Sequence, residues 1–307
     1  MKKIKMALLA IATLTLLATI AGCSSTKVAS AKTSVASSAK PGEEKESEKS
    51  TASNGGANKP LAVTGEIAGS QVFIKGRTVE IWAKWCCDHE VTQAEYQSIM
   101  GDNPSECSSG SNYPVENVSW YDAIMYCNKK SAAAGRTPCY KVDGKTDTSQ
   151  WGWYTPHNGN SISGKITCDF AADGYRLPTE AEWEYFARGG NTSNSGQTEY
   201  SGSNTIGSVA WYDGNSGNKP HEVKKKTANS LGLYDMCGNV WEWCWDWYDS
   251  ISASTPSTGA ASGSFRIVRG GGWGDYASYC TVSRRIYSNP FYRDYDLGFR
   301  VVCSRAE

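Results

Sequence analysis

The sequence predicts an α+β domain that is loop-rich and short of helix. Three observations carry this. Over 307 residues only three segments open with a helix-capping pattern. A period-two alternation of apolar residues marks strand instead. Long Gly, Asn, Ser and Trp-rich stretches separate these elements, and the 12 Trp and 17 Tyr supply the apolar mass that such irregular backbone must bury.

The chain opens with Lys2, Lys3 and Lys5, then an apolar run from Met6 to Ile20, then Ala21-Gly22-Cys23. A basic start, a short apolar run and small residues before a cysteine read as a signal peptide over 1–22. The run is too short for a membrane anchor. Residues 23–64 are rich in Ser, Ala, Thr, Lys and Glu, with almost no aromatics. Such a segment lacks the apolar area to order itself and is expected to be a disordered tether. The folded domain is expected over 65–307.

Within that domain Val72, Ile74, Val79 and Ile81 alternate around Lys75-Gly76-Arg77-Thr78, which predicts an opening β-hairpin. Thr92-x-x-Glu95 predicts a helix to about Met100, stopped by Gly101. Ser119-x-x-Asp122 predicts a longer helix with Trp120, Ile124 and Cys127 on one face, ending near Gly135. Thr179-x-x-Glu182 predicts a third, ended by Gly189-Gly190.

Formal net charge is zero, so bulk electrostatics give no reason to expect nucleic-acid binding. Beyond Cys23 there are ten cysteines, an even number that allows disulfides in an exported chain. There is no Cys-x-x-Cys pair, which argues against a zinc ribbon or a thioredoxin-like centre. His89, His157 and His221 are the only histidines and read as ordinary surface or loop residues.

The C-terminal region, about 269–303, has a framework at each end: Arg269-Gly270-Gly271-Gly272-Trp273 and Leu297-Gly298-Phe299-Arg300-Val301-Val302. Between them, residues 274–296 hold five Tyr and one Phe among Ser, Asp, Asn and Arg. That composition is typical of a recognition surface, with aromatic contact area set among adaptable polar groups.

Three motifs name a family. Asn117-Val118-Ser119-Trp120-Tyr121-Asp122-Ala123, the stretch from Gly174 through Arg176-Leu177-Pro178-Thr179-Glu180 to Tyr185, and Gly232 through Gly238-Asn239-Val240-Trp241-Glu242-Trp243 resemble the formylglycine-generating-enzyme (sulfatase-modifying factor) family. The resemblance runs from about 72 to 303. It implies a C-type-lectin-like fold with its first and last strands close together. The family's enzymes use a Cys-x4-Cys pair to hold copper(I); here Cys280 matches the first position and Arg285 stands at the second, so the pair is broken. A divergent enzyme acting on thiols through Cys280 remains the alternative reading, and it requires an exposed, reactive thiol. The family also wraps a structural calcium, which implies ligands from Asp235, the Gly238 and Val240 carbonyls and Glu242, all hard oxygen donors. At a second family site Val209 stands where Asn is expected.

The segment before Cys23 resembles a bacterial lipobox, which implies cleavage before Cys23 and acylation of its thiol, placing the chain on the outer surface of a membrane. A subset of the family without the catalytic pair is similar to variable proteins of diversity-generating retroelements, where adenine-directed copying scatters Asn codons. Such codons do not reach Lys, Glu, Gln, Met or Trp. Residues 274–296 contain none of the five, which make up 59 of the 307 residues of the chain. Gly274, Asp275, Tyr276, Ser278, Tyr279, Tyr287, Ser288, Asn289, Phe291, Tyr292, Asp294, Tyr295 and Asp296 all lie one or two adenine changes from Asn. They group in short runs between framework residues Trp273, Ala277, Cys280, Pro290, Arg293 and Leu297. The resemblance therefore implies a non-enzymatic surface lipoprotein whose thirteen variable side chains bind a protein or glycan ligand, with no cofactor required.

Overall fold

The computed structural model describes residues 25–27, 60–107, 110–152 and 161–304. The expected signal peptide, Cys23 and His157 lie outside the described residues. Strands β1 (Ser25–Lys27), β2 (Leu61–Thr64), β3 (Thr78–Ile81) and β4 (Trp85–Cys87) precede helices α1 (Gln93–Met100) and α2 (Trp120–Ala133). Then come β5 (Tyr140–Val142), β6 (Ile166–Cys168), β7 (Tyr175–Arg176), α3 (Glu180–Ala187) and the short α4 (Ile206–Val209). Strands β8 (Trp241–Trp247), β9 (Arg266–Arg269), β10 (Arg285–Ser288), β11 (Leu297–Gly298) and β12 (Val302–Cys303) complete the chain. The architecture is α+β, rich in short strands.

Two four-stranded sheets organise it, ordered β1-β4-β12-β7 and β10-β9-β8-β11, beside the pairs β2-β3 and β5-β6. The last strand pairs antiparallel with β4, Val302 opposite Cys86, so early and late chain close on each other as expected. Both β1 and β2 fall inside 23–64, the segment expected to be a tether. β1 pairs with β4 and β2 with β3, so ordered backbone begins before residue 65.

All three capping boxes form: Thr92, Ser119 and Thr179 each accept from the third helical amide, and Glu95, Asp122 and Glu182 answer the cap residue. Trp120, Ile124 and Cys127 are fully buried, as their spacing requires. The opening hairpin is different from the expected one. β3 pairs with Leu61–Thr64, not with Val72–Ile74. Residues 72–74 satisfy their backbone another way: Ser70 Oγ accepts from the Val72 and Phe73 amides, and the Val72 carbonyl accepts from buried Arg77 Nη1 at 2.6 Å. Arg77 also donates to the Thr255 and Pro256 carbonyls, so a residue expected in a turn is a buried strut.

Buried Trp and Arg–Glu pairs hold the core. Trp183 and Trp243 are fully buried. Arg176 meets Glu182 with two bonds, 2.6 and 2.8 Å, and Arg269 reaches Glu184 at 2.5 Å. Each pair is dry, so each charge depends on the other for compensation. Arg266 is an exception: its guanidinium lies between the Trp120 and Trp247 rings, at 3.7 and 3.4 Å, and donates to the Trp245 carbonyl. Burial lowers its pKa to about 9.

Candidate functional site

The insert is not wholly irregular. Residues Ala277–Tyr279 form a 3-10 turn, and β10 pairs with β9, Tyr287 opposite Ile267. The framework grips the insert largely through main chain. The Asp213 amide donates to the Asp275 carbonyl, Trp120 to Pro290, Asn117 to Asp294 and Trp241 to Asp296. Such bonds do not depend on which side chain the insert carries. Arg293 adds a side-chain tie, with Nε 3.0 Å from Asp122 Oδ2 at the start of α2.

Side-chain placement follows the same division. Gly274, Tyr276, Ser278, Tyr279, Tyr287, Phe291, Tyr292 and Tyr295 are exposed, Tyr276 by 71%. Asp275, Ser288, Asn289, Asp294 and Asp296 are half-buried. Of the expected framework residues, Cys280, Pro290 and Leu297 are buried and Trp273, Ala277 and Arg293 half-buried. One candidate has a framework job as well: Asp275 Oδ2 accepts from Trp241 Nε1 at 2.7 Å and the Gly272 amide at 2.9 Å.

Three aromatic contacts extend the surface. Trp273 packs on Tyr295 with centroids 5.6 Å apart. Tyr287 meets Tyr248 at 4.4 Å and Phe265 at 4.9 Å. Tyr248 and Phe265 lie outside 274–296 and were not expected at the site. Their contact depends on the Tyr248 amide bonding the Phe265 carbonyl across a connection of some length, and no local pattern shows that.

Acid groups lie beside the Trp273–Tyr295 pair. Burial raises Asp296 to about 7, with Asp294 and Asp275 adding repulsion. Glu116, from the framework, is also raised to about 7, first by burial. Tyr292 is raised to about 12 by its hydrogen bond to Asp294, 2.7 Å away.

Cys280 is fully buried and its thiol is free. Burial pushes its pKa up, which favours the unreactive thiol. Arg285, at the position of the family's second cysteine, forms a two-pronged ion pair with Glu180, at 2.8 and 2.7 Å. Nine cysteines among the described residues, Cys280 included, form no disulfide, fewer bridges than an even cysteine count suggested.

The calcium ligands implied by resemblance do not fit as a set. Glu242 already gives one oxygen to Arg300 Nη2 at 2.6 Å and the other to Arg300 Nε at 2.7 Å and Trp183 Nε1 at 2.8 Å. The Arg300 guanidinium supplies the positive charge that Glu242 needs. Asp235 Oδ2 accepts from the Lys224 amide, and its buried Oδ1 has no partner. Burial raises Asp235 to about 6. Gly238 has φ 72°, and a Cβ there would sit 2.1 Å from the Trp211 carbonyl oxygen, so this turn requires glycine on packing grounds alone.

His89 is buried, not a surface residue. It sits between Asp88 at 2.5 Å and Glu95 at 3.4 Å, because the β4-to-α1 turn brings the cap carboxylate back over it. His221 stacks on Trp211 at 3.8 Å.

A family model, the sulfatase-modifying factor enzyme 1-like domain, matches residues 53–305. The chain belongs to this family. It is similar to the chaperone protein LppX of Paenibacillus barcinonensis, 39% identical over 237 residues, covering 71% of this chain and 79% of that one. The formylglycine-generating enzyme of Streptomyces coelicolor is 30% identical over 220 residues, covering 64% of this chain and 54% of the enzyme. Among solved structures, Treponema denticola variable protein 1 superposes with TM-score 0.70 at 39% identity, covering 80% of this chain and 94% of that one. CarF superposes with TM-score 0.56 at 29% identity, covering 71% of this chain and 85% of that one.

Proposed function

We propose that this chain is an exported lipoprotein, anchored through acylated Cys23, that binds a ligand through a diversified face at 274–296 and has no enzymatic activity. One observation carries the reading. Six of the eight exposed large hydrophobic side chains of the described residues come from 274–296, and the other two, Tyr248 and Phe265, pack on Tyr287. So much aromatic area left in water marks an interaction surface.

The proposed mechanism divides the labour. Framework amides hold the loop by its carbonyls, and the outward side chains supply affinity. Tyr offers large contact area for two side-chain torsions, so little entropy is lost on binding. Likeness to Treponema denticola variable protein 1 supports the diversified character. Burial of Cys280 and the Arg285–Glu180 pair support the absence of copper chemistry. Of the two implied carboxylate ligands, Asp235 keeps one buried oxygen, Oδ1, without a partner.

The test is to sequence this gene and its flanks across many isolates. Variation concentrated in codons 274–296, beside an adenine-matched template repeat, supports the reading. Uniform codons with no template overturn diversification.

The likeness to a chaperone favours a second reading, in which the same aromatics hold unfolded segments of other proteins. A holdase suppresses aggregation of unrelated unfolding proteins at equimolar ratio. A specific binder does not.

A further inference from the structure

We propose that the acidic centre made by Glu116, Asp294 and Asp296 receives a guanidinium or ammonium group projecting from a partner protein. The inference deepens the reading of 274–296 as the binding face and rests on it.

The framework and the insert meet tightly here. The Asn117 amide bonds the Asp294 carbonyl at 2.8 Å. A Cβ on Gly298 would sit 2.4 Å from the Val115 carbonyl oxygen. Glu116, between those two contacts, is thereby pressed beneath the insert. It is fully buried; Oε1 accepts from the Glu106 amide at 2.6 Å and the Cys107 amide at 2.8 Å, while Oε2 has no partner. Asp294 and Asp296, both half-buried, stand close enough to repel its charge.

Among the described residues this centre has no cation partner. Elsewhere buried Glu182, Glu184 and Glu242 each meet an arginine. Among the described residues no Lys, Arg or His pairs with Glu116, Asp294 or Asp296. The burial of Glu116 and Asp296 and the repulsion they meet from Asp294, seen in the raised proton affinities of those two, are relieved when a positive group arrives.

The arrangement suits an organic cation better than a metal ion. Among the described residues the one group of three His, Cys, Asp or Glu ligand atoms lying within 4.8 Å of one another is Cys87, Asp88 and His89, elsewhere in the fold. Carboxylates spread more widely match the forked donors of a guanidinium. Trp273 and Tyr295, packed at 5.6 Å, and exposed Tyr292 add aromatic faces that attract cations. The surrounding aromatic area is large enough to engage a protein surface around that cation.

The first probe is arginine amide, with neutral citrulline amide and calcium chloride as controls, followed by NMR of the full protein. Arginine amide should shift the Trp273 indole and the Asp294–Asp296 amides, while citrulline amide and calcium should not. Asp296→Asn and Glu116→Gln should each weaken that binding by about tenfold, the scale of one charge-assisted contact. Equal shifts with citrulline amide, or shifts with calcium alone, overturn the proposal. Peptides selected from a random library against the protein separate this inference from the reading beneath it. Capture lost in a Tyr276→Ala/Tyr295→Ala variant, with Arg and Lys enriched in the peptides, supports both. Capture lost without that enrichment keeps the binding face and overturns the cationic ligand. Capture unchanged in the variant overturns the face and the inference together.

Discussion

Arg300 closes on Glu242 with two hydrogen bonds, 2.7 and 2.6 Å, and neither side chain touches solvent. A guanidinium thus stands against the carboxylate that family resemblance assigns to calcium. Breaking one side leaves a bare buried charge. Arg300→Met should cost about 3–5 kcal/mol in urea unfolding. EDTA should leave the unfolding midpoint unchanged. A clear drop with EDTA would show that a metal shares Glu242.

His89 makes stability depend on pH in the alkaline range. Burial alone would lower its pKa, but the bonds and charges of Asp88 and Glu95 raise it from 6.5 to about 9. A raised folded pKa means the contribution is whole below 6.5 and is lost as pH rises through about 9. The gain is at most about 3 kcal/mol. Urea midpoints from pH 6 to 10 should fall in the wild type and stay flatter in His89→Gln. Equal slopes would refute the assignment.

Cys280 should resist alkylation in the folded state. Its buried, protonated thiol predicts no labelling by iodoacetamide until urea unfolds the chain. Exposed Cys107 supplies the internal control, since it should label at once. Fast native labelling of Cys280, read by mass spectrometry, would revive the enzymatic alternative.

Substitutions should divide sharply between core and face. Trp183→Ala and Trp243→Ala, at fully buried sites, should each destabilise by about 3–5 kcal/mol. Tyr276→Ala and Tyr295→Ala should change stability by roughly 0.5 kcal/mol or less, the usual scale for surface positions. A Tyr276 effect as large as that of Trp183 would place it in the core.

What the sequence makes legible is local. Thr92, Ser119 and Thr179 announce helix starts because cap and answering acid lie three residues apart. The exposed Tyr of the insert were legible from composition. Illegible were relations across long separations. Val72 to Ile81 has hairpin alternation, yet Leu61–Thr64 is the better partner once Arg77 ties 72 to 256. His89 looks like any loop histidine until the chain turns and brings Glu95 over it. Tyr248, Phe265 and Glu116 reach the site only through tertiary pairing, 26 or more residues from Gly274 apart from Phe265.

Main-chain bonds hold the insert, and its side chains should therefore be free to change. The decisive experiment is a library in which the thirteen candidate positions carry adenine-randomised Asn codons, displayed and scored for protease resistance. Most members should stay folded, with losses concentrated at Asp275, whose carboxylate holds Trp241. A library that mostly unfolds, with losses spread over Tyr276, Tyr292 and Tyr295, would contradict it.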